Sequence, residues 1–239
     1  IAHRDDAVTP ALAGQVGCCV SRRVAGEPVA YIIGHRGFHA IDLSLTPGVL
    51  IPRPETELLV ELALQRIPQS AKVDIADLGV GSGAVALAIA QARPQARVLA
   101  TDASAAALDV ARGNAQRLGI GNVEFAQGDW CAALGEQRFD LIVSNPPYIA
   151  ENDTHLAQGD LRFEPRMALA SGADGLDAIR AIVRDASAHL REGGALLFEH
   201  GFDQGAAVRG LLQRGGFADV FTARDLEGRE RVSGGVKPR

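Results

Sequence analysis

The stretch Val73-Asp74-Ile75-Ala76-Asp77-Leu78-Gly79-Val80-Gly81-Ser82-Gly83 sets the plan of this chain. Its first half is apolar enough for a buried strand, and the run from Gly83 to Ala92, stopped by Pro94, predicts a helix directly after it. Three glycines within five residues let the backbone turn sharply and approach a ligand closely. In open α/β sheets such ligands lie at the carboxyl edge of the strands. The candidate binding loop consists of Gly79, Val80, Gly81, Ser82 and Gly83.

Strand and helix signals alternate through most of the remaining chain. The further predicted strands are Val98-Leu99-Ala100, Val123-Glu124-Phe125, Phe139 to Val143 and Ala195 to Glu199, followed by an antiparallel pair from Phe217 to Thr222 and at Arg231-Val232. The helices between them include one that Ser104 caps and one from Leu176 to Leu190, closed by Gly193-Gly194. Such alternation predicts an α/β fold with a seven-stranded, mostly parallel, doubly wound sheet.

The glycine loop alone leaves the ligand class open. With Ala84 in place of a third glycine it passes the loose dinucleotide pattern, so a dehydrogenase, a methyltransferase and a tight turn without ligand all fit. Asp102 ends the second strand and can accept both hydroxyls of a ribose, or it can begin the following helix. Asp129 and Trp130 end the third strand, where they can bind an adenine amino group and its ring, although Trp130 can equally fill the core.

The fourth strand ends in Ser144-Asn145-Pro146-Pro147-Tyr148. Two prolines remove two backbone donors, so carbonyl oxygens and the Asn145 carboxamide remain. A row of acceptors suits a substrate that presents an N–H₂ group, and Tyr148 adds a flat face for a planar group. A strand that simply ends in a proline-stiffened turn is the competing interpretation. A nicotinamide enzyme would give no reason for this motif.

The N-terminal part divides into two predicted segments before the main domain. Residues 1–30 contain a short helix from Ala11 to Val24 and are expected to be the tail of a helical domain. Residues 31–53 are predicted as extended segments or a β-hairpin, with a turn at Pro47-Gly48, followed by the main domain at 54–239. The long polar loop 149–175 is expected to be functional or disordered.

Composition and charge exclude several classes of protein. The 239 residues carry a formal net charge of -5, which argues against binding to nucleic acid mainly through phosphate contacts. The three cysteines, Cys18, Cys19 and Cys131, match no zinc spacing and no disulfide framework, and no metal is expected. No apolar run approaches the length of a membrane span and no secretory signal pattern opens the chain, so we expect a cytoplasmic protein. We also expect it to be a monomer.

Taken together, the four strand ends resemble those of class I S-adenosylmethionine-dependent methyltransferases that modify a planar nitrogen. Five further segments resemble the bacterial release factor glutamine methyltransferase family: Gly26 to Gly34, Leu50-Ile51-Pro52-Arg53-Pro54-Glu55-Thr56-Glu57, Val143 to Ile149, Arg162-Phe163-Glu164-Pro165 and Glu199-His200-Gly201. The Pro-Arg-Pro-Glu-Thr-Glu segment is specific to this family, whereas Asn-Pro-Pro-Tyr also occurs in adenine-N6 DNA and RNA methyltransferases. The resemblance runs from about Arg22 to Val232.

The resemblance implies a function, its ligands and the residues that bind them. The family transfers a methyl group from S-adenosyl-L-methionine, leaving S-adenosyl-L-homocysteine, to the N5 of the glutamine in the Gly-Gly-Gln motif of class 1 peptide chain release factors. The implied cofactor residues are Gly79 to Gly83, Asp102, Asp129, Trp130 and Asn145. The implied substrate residues are Phe38, Asn145, Pro146, Pro147 and Tyr148, of which Asn145, Pro146 and Tyr148 are assigned to catalysis.

Two substitutions depart from the family, Val80 where threonine is common and Gly37 where an acid is common. Two other functions remain open at this point. The same acceptors suit an adenine amino group, so an adenine-N6 DNA or RNA methyltransferase is the alternative. A protein with this fold that only binds is the third possibility, and the intact glycine loop, Asp102 and Asn145 argue against it.

Overall fold

A computed structural model describes residues 8–239, and its architecture confirms the predicted α/β fold. The strands of the described chain are β1 (His35–Phe38), β2 (Ile41–Ser44), β3 (Asp74–Leu78), β4 (Arg97–Asp102), β5 (Val123–Gln127), β6 (Phe139–Ser144), β7 (Leu190–Glu199), β8 (Ala218–Arg224) and β9 (Glu230–Val236). Its α-helices are α1 (Pro10–Val24), α2 (Val29–Ile33), α3 (Glu57–Arg66), α4 (Ala84–Ala92), α5 (Ala105–Leu118), α6 (Asp177–His189) and α7 (Gly205–Arg214). Residues 1–7 of the predicted N-terminal segment 1–30 lie outside the described residues.

Seven strands form one sheet in the order β5-β4-β3-β6-β7-β9-β8. The five strands from β5 to β7 in this order are parallel, whereas β9 runs antiparallel to both β7 and β8. The chain winds outward from β3 to β5 and then returns to β6 on the other side of β3. This reversal opens a crevice at the carboxyl ends of β3 and β6, which is where open α/β sheets bind ligands.

Helices cover both faces of the sheet because successive strand residues point to opposite sides. Ile75 of β3 packs in an apolar cluster with Leu59 of α3, Leu87 of α4 and Leu108 of α5. Its neighbour Ala76 belongs to a second cluster on the other face, which includes residues of α6 and α7. Both clusters are buried, so the sheet is a rigid support for the loops at its carboxyl edge.

The structure corrects the prediction for residues 31–53 in part. The expected extended run Tyr31-Ile32-Ile33 is wrong, because these residues complete helix α2. Gly34 ends that helix with a φ of 78°, and the Tyr31 hydroxyl donates to the Val49 carbonyl at 2.6 Å. A hairpin does exist, but β1 and β2 form it and pair Phe38 with Ile41, so its turn precedes the predicted Pro47-Gly48 position.

The predicted glycine stop of the helix after residue 176 is also misplaced. Helix α6 ends at His189, and β7 already begins at Leu190. Gly193 and Gly194 instead lie at an irregularity of β7, where the register against β6 shifts after Phe139. A Cβ on Gly194 would lie 2.9 Å from the Arg191 carbonyl oxygen, so this glycine serves a close backbone approach rather than a helix end.

Among residues 8–239, no helix has both the length and the apolar character needed to cross a membrane.

Candidate active site

The glycine loop after β3 has the backbone geometry that its sequence predicts. Gly79, Gly81 and Gly83 adopt φ values of 77°, 53° and 92°, a region that residues with a Cβ rarely enter. The backbone N–H groups of Gly79 and Val80 both donate to the Thr101 carbonyl, at 2.9 and 2.8 Å. These bonds tie the loop to the neighbouring strand β4. Backbone hydrogen bonds to Thr101 therefore fix the start of the loop.

Asp102 connects the end of β4 to this loop. Its Oδ2 accepts a hydrogen bond from the Gly81 N–H at 2.9 Å, and its Oδ1 accepts one from the Ser104 N–H at 2.9 Å. The alternative interpretation of Asp102 as the helix cap is not needed, because the Ser104 hydroxyl caps α5 by accepting from the Ala107 N–H at 3.2 Å. Each carboxylate oxygen retains further acceptor capacity, and Asp102 lines the cavity described next.

A cavity of about 190 Å³ lies at the carboxyl edge of the sheet. Its lining includes residues 79–82 of the glycine loop, Asp102, Asp129 and Trp130, together with Val49, Leu50 and Pro52. A Cβ on Gly79 would come within 3.4 Å of the Trp130 ring, so the glycine lets the indole lie against the loop. The structure thus brings the cofactor residues predicted from the sequence, Asn145 included, into the lining of one cavity, except Gly83, which lies between the lining residues Ser82 and Ala84.

Asp77 is a residue of this cavity that the sequence reasoning did not select. It is almost fully buried, and its Oδ2 accepts from the Ala86 N–H in the first turn of α4 at 2.9 Å. Burial raises the pKa of this carboxyl to about 7, and the nearby Asp102 charge adds to the shift. Its position at the end of β3, directly before the glycines, was the signal available in the sequence.

The Asn-Pro-Pro-Tyr segment follows β6 and separates the large cavity from a smaller one of about 60 Å³. Asn145 lines both cavities, whereas Pro146 and Tyr148 line only the smaller one and Pro147 only the larger. The Asn145 Nδ2 donates to the Thr56 hydroxyl at 3.2 Å. This bond engages the amide nitrogen and leaves the side-chain oxygen as an acceptor.

Tyr148 is anchored by a buried carboxyl behind the segment. Its hydroxyl donates to Oε1 of Glu199 at 3.1 Å. Burial, reinforced by the negative Glu199, raises the pKa of the Tyr148 hydroxyl well above its ordinary value, so the phenol is neutral. Burial also raises the pKa of Glu199, although the nearby Thr56 and Tyr148 hydroxyls oppose the shift. Glu199 belongs to a segment that resembles the family, but no pattern in the sequence predicts a role for it.

An ion pair lies beside the small cavity, whose lining includes Arg53. Glu164 from the loop 149–175 accepts from the Ile51 N–H at 2.9 Å and forms an ion pair with Arg53. Its side chain is fully buried, whereas that of Arg53 is about a third exposed. The same loop places Met167 and Ala168 in the lining of the large cavity. The loop that was expected to be functional or disordered is therefore ordered against the site.

Phe38 is the one predicted site residue that the structure does not bring to the others. It is 2% exposed, belongs to the main apolar cluster, and lies in the lining of neither described cavity. Its assignment to a substrate pocket stays a prediction. Among the described residues, no group of three or more His, Cys, Asp and Glu side chains is arranged to hold a metal ion.

Comparison with known proteins places this site in a family. The model of the Methyltransferase small domain matches residues 55–163, and that of the PrmC N-terminal domain matches residues 1–34. The release factor glutamine methyltransferase of Xylella fastidiosa (strain Temecula1 / ATCC 700964) is 56% identical over 236 residues, which cover 99% of this chain and 86% of the relative. The protein of the same name from Bordetella pertussis is 55% identical, over 98% of this chain and 87% of the relative.

Solved structures agree on the fold. A Thermus thermophilus 16S rRNA N2 G1207 methyltransferase, solved with AdoMet and guanosine, superposes with a TM-score of 0.64 over 85% of this chain and 49% of its own, at 22% identity. A methyltransferase from Pyrococcus furiosus gives the same TM-score over 92% of this chain and 98% of its own, at 16% identity. At such identities the likeness concerns the fold alone. The two relatives above, each more than half identical over nearly the whole chain, decide the family: this protein belongs to the release factor glutamine methyltransferases.

Proposed function

We propose that this protein transfers a methyl group from S-adenosyl-L-methionine to the side-chain amide nitrogen, N5, of the glutamine in the Gly-Gly-Gln motif of class 1 peptide chain release factors. The observation that carries the proposal is the meeting of two cavities at Asn145. The larger one has the lining that a nucleoside needs, and the smaller one has acceptors for an N–H₂ group. The family's name supplies the identity of the acceptor protein.

The residues of the larger cavity fit the proposed cofactor. A Cβ placed on Gly81 would meet no protein atom within 4 Å, so this glycine leaves space beside the loop. Asp102 offers carboxylate oxygens to ribose hydroxyls, and Asp129 and Trp130 offer an acceptor and a flat face to an adenine. When bound, S-adenosylmethionine supplies a methyl group that is already activated as a sulfonium.

The small cavity has groups that can compensate for the low reactivity of the amide nitrogen that receives the methyl group. An amide nitrogen is a poor nucleophile because its lone pair is delocalised into the carbonyl group. The Asn145 Oδ1 and the Pro146 carbonyl can each accept one N–H of the substrate amide, which orients the nitrogen toward the larger cavity. The same two acceptors stabilise positive charge that develops on the nitrogen in the transition state. Tyr148, held as a neutral phenol, packs against the amide plane.

The size of the small cavity favours a carboxamide over a purine. At about 60 Å³ it is roughly a third of the larger one, and a primary amide needs far less room than an adenine base. Adenine-N6 methylation of DNA or RNA would use the same hydrogen-bond acceptors, so the test must distinguish it from glutamine methylation. A protein that binds the cofactor without transferring the methyl group is the remaining outcome.

The test uses tritiated S-adenosylmethionine and three acceptors in parallel. These are purified release factor, its Gln→Ala variant in the Gly-Gly-Gln motif, and duplex DNA. We expect label on the intact release factor alone. Label on DNA would move the function to adenine methylation, and label on the Gln→Ala variant would place the methyl group on a different residue. Cofactor binding without label on any acceptor would leave a binding protein.

A further inference from the structure

Behind the Asn-Pro-Pro-Tyr segment lies a carboxyl group that the proposed chemistry does not use. Glu199, the last residue of β7, is 1% exposed. Its Oε1 accepts from the Tyr148 hydroxyl at 3.1 Å. Its Oε2 is also buried and has no direct hydrogen-bond partner among the described residues. A buried acceptor without a partner costs free energy, so this carboxyl requires an explanation.

The Thr56 hydroxyl links this carboxyl to the substrate-binding amide. Thr56 is 2% exposed and lies just before α3. Its oxygen accepts from the Asn145 Nδ2 at 3.2 Å, and the hydroxyl is near enough to Glu199 to favour the ionised carboxylate. Arg231, which is 8% exposed, acts in the same direction, whereas Glu55 acts against it. Two side chains of the small cavity are therefore connected to Glu199: Tyr148 directly and Asn145 through Thr56.

The chemistry of these groups fixes the donor and the acceptor of each hydrogen bond from Asn145 through Thr56 to Glu199. The Thr56 and Tyr148 hydroxyls and Arg231 favour the ionised form of Glu199. In that form the carboxylate accepts hydrogen bonds and cannot donate one, so a hydroxyl that turns toward it must use its hydrogen. The lone pairs of the Thr56 oxygen then remain for the Asn145 N–H₂ group. With its nitrogen held there, the Asn145 carboxamide presents its oxygen to the small cavity. If the group at position 199 donated a hydrogen bond to Thr56 instead of accepting one, the Asn145 carboxamide would lose its preference for this orientation.

We propose that Glu199 is a positioning residue that fixes the Asn145 carboxamide through Thr56, with the amide oxygen toward the substrate, and that it holds Tyr148 directly. The inference rests on the proposed function, because the fixed oxygen is the acceptor for the substrate amide. Oε2 is the acceptor of the Thr56 hydroxyl in this arrangement. A flipped Asn145 would oppose its own N–H₂ group to that of the substrate, and no hydrogen bond could form.

The test compares variants that change only the donor pattern. Glu199→Gln keeps the shape but adds an N–H₂ donor, Thr56→Val removes the hydroxyl at similar volume, and Thr56→Ser retains it. Glu230→Gln, on the neighbouring strand β9, is the carboxyl control. For each variant we would measure kcat and KM on release factor, the Kd for S-adenosylmethionine, and the melting temperature.

We expect Glu199→Gln and Thr56→Val each to lower kcat by about 10- to 100-fold, which is less than the loss of a direct transition-state contact, because both residues act through Asn145. The Kd for the cofactor should stay within about twofold, and Thr56→Ser should restore most of the activity. The double variant Glu199→Gln/Thr56→Val should be no slower than the slower single variant, since both act through one chain.

Three results would overturn the inference: wild-type kcat in Glu199→Gln, losses that multiply in the double variant, or a cofactor Kd that rises in parallel with the loss of kcat. If Glu199→Gln does not fold, the pair Thr56→Val and Thr56→Ser decides, and equal kcat values for the two refute the inference. Wild-type protein that is inactive on release factor, yet binds the cofactor, would instead refute the proposed function, and the inference would fall with it.

Discussion

Gly81 offers the sharpest test of the cofactor cavity, because a single methyl group there separates folding from binding. We consider Gly81→Ala beside Gly119→Ala, a glycine at the end of α5. Their φ values are 53° and 68°, and an added Cβ meets no protein atom within 4 Å at either position. Both substitutions place a Cβ in the left-handed region, so we expect a similar backbone strain from each. Only Gly81 lines the large cavity.

The expected effect on folding is small and equal. A left-handed conformation costs a residue with a Cβ about 1–2 kcal/mol, and the loss of unfolded-state freedom on replacing glycine returns about 0.4–1 kcal/mol. The net loss is about 1 kcal/mol, which corresponds to a fall in melting temperature of roughly 2–4 °C for a chain of this size. Thermal unfolding without ligand should give this result for both variants.

The expected effect on binding is confined to one variant. The Gly81→Ala methyl group occupies space beside the loop, so we expect the Kd for S-adenosylmethionine to rise at least about tenfold, or about 1.4 kcal/mol. Gly119→Ala should bind as the wild type does. Titration calorimetry measures Kd directly, and the rise in melting temperature with added ligand provides a second measure. Equal affinities for the two variants would refute the assignment of the cavity.

Three further predictions concern other parts of the site. Asn145→Ala should lower kcat on release factor by about 100-fold or more while changing the cofactor Kd far less, and equal losses in steady-state kinetics and calorimetry would count against its role as the amide acceptor. Because burial raises the pKa of Asp77 to about 7, the folded chain keeps a proton that the unfolded chain releases, so the free energy of unfolding should fall as the pH rises from 3.8 toward 7. Urea unfolding across that range should show a weaker fall in Asp77→Asn, and identical slopes would show that this carboxyl does not titrate as described. Glu164→Ala leaves Arg53 and the Ile51 N–H without their partner, so we expect a loss of about 3 kcal/mol in unfolding free energy, whereas an unchanged urea midpoint would show that the pair does not hold the loop.

The order of the strand ends could be predicted from the sequence because each motif is local. The glycine loop, Asp102, the Asp129-Trp130 pair and Asn145 each follow an apolar run directly, and parallel strands bring their carboxyl ends to one edge. The fold and the shared edge at which these strand ends lie follow from these facts. The resemblance of the Asn-Pro-Pro-Tyr and Pro-Arg-Pro-Glu-Thr-Glu segments then indicated the family that the relatives confirm.

The errors and omissions have a different origin, since they depend on contacts between distant residues. Thr56 and Asn145 are 89 residues apart, and Tyr148 and Glu199 are 51 apart, so no local pattern reveals either hydrogen bond. The helix at Tyr31 is short, and a proline before it and a glycine after it outweigh the β-branched residues that suggested a strand. The sequence gives the residue types of the site, whereas the structure supplies their pairing.

The central claim is that the methyl group goes to a glutamine side chain, and mass spectrometry of one competition reaction tests it most directly. Release factor and duplex DNA would be incubated together with the protein and S-adenosylmethionine, and both products analysed. The account predicts a single added methyl group, located by fragmentation on the side-chain nitrogen of the glutamine in Gly-Gly-Gln, and none on DNA. Methylated adenine, or a methyl group on any other residue of the release factor, would contradict it.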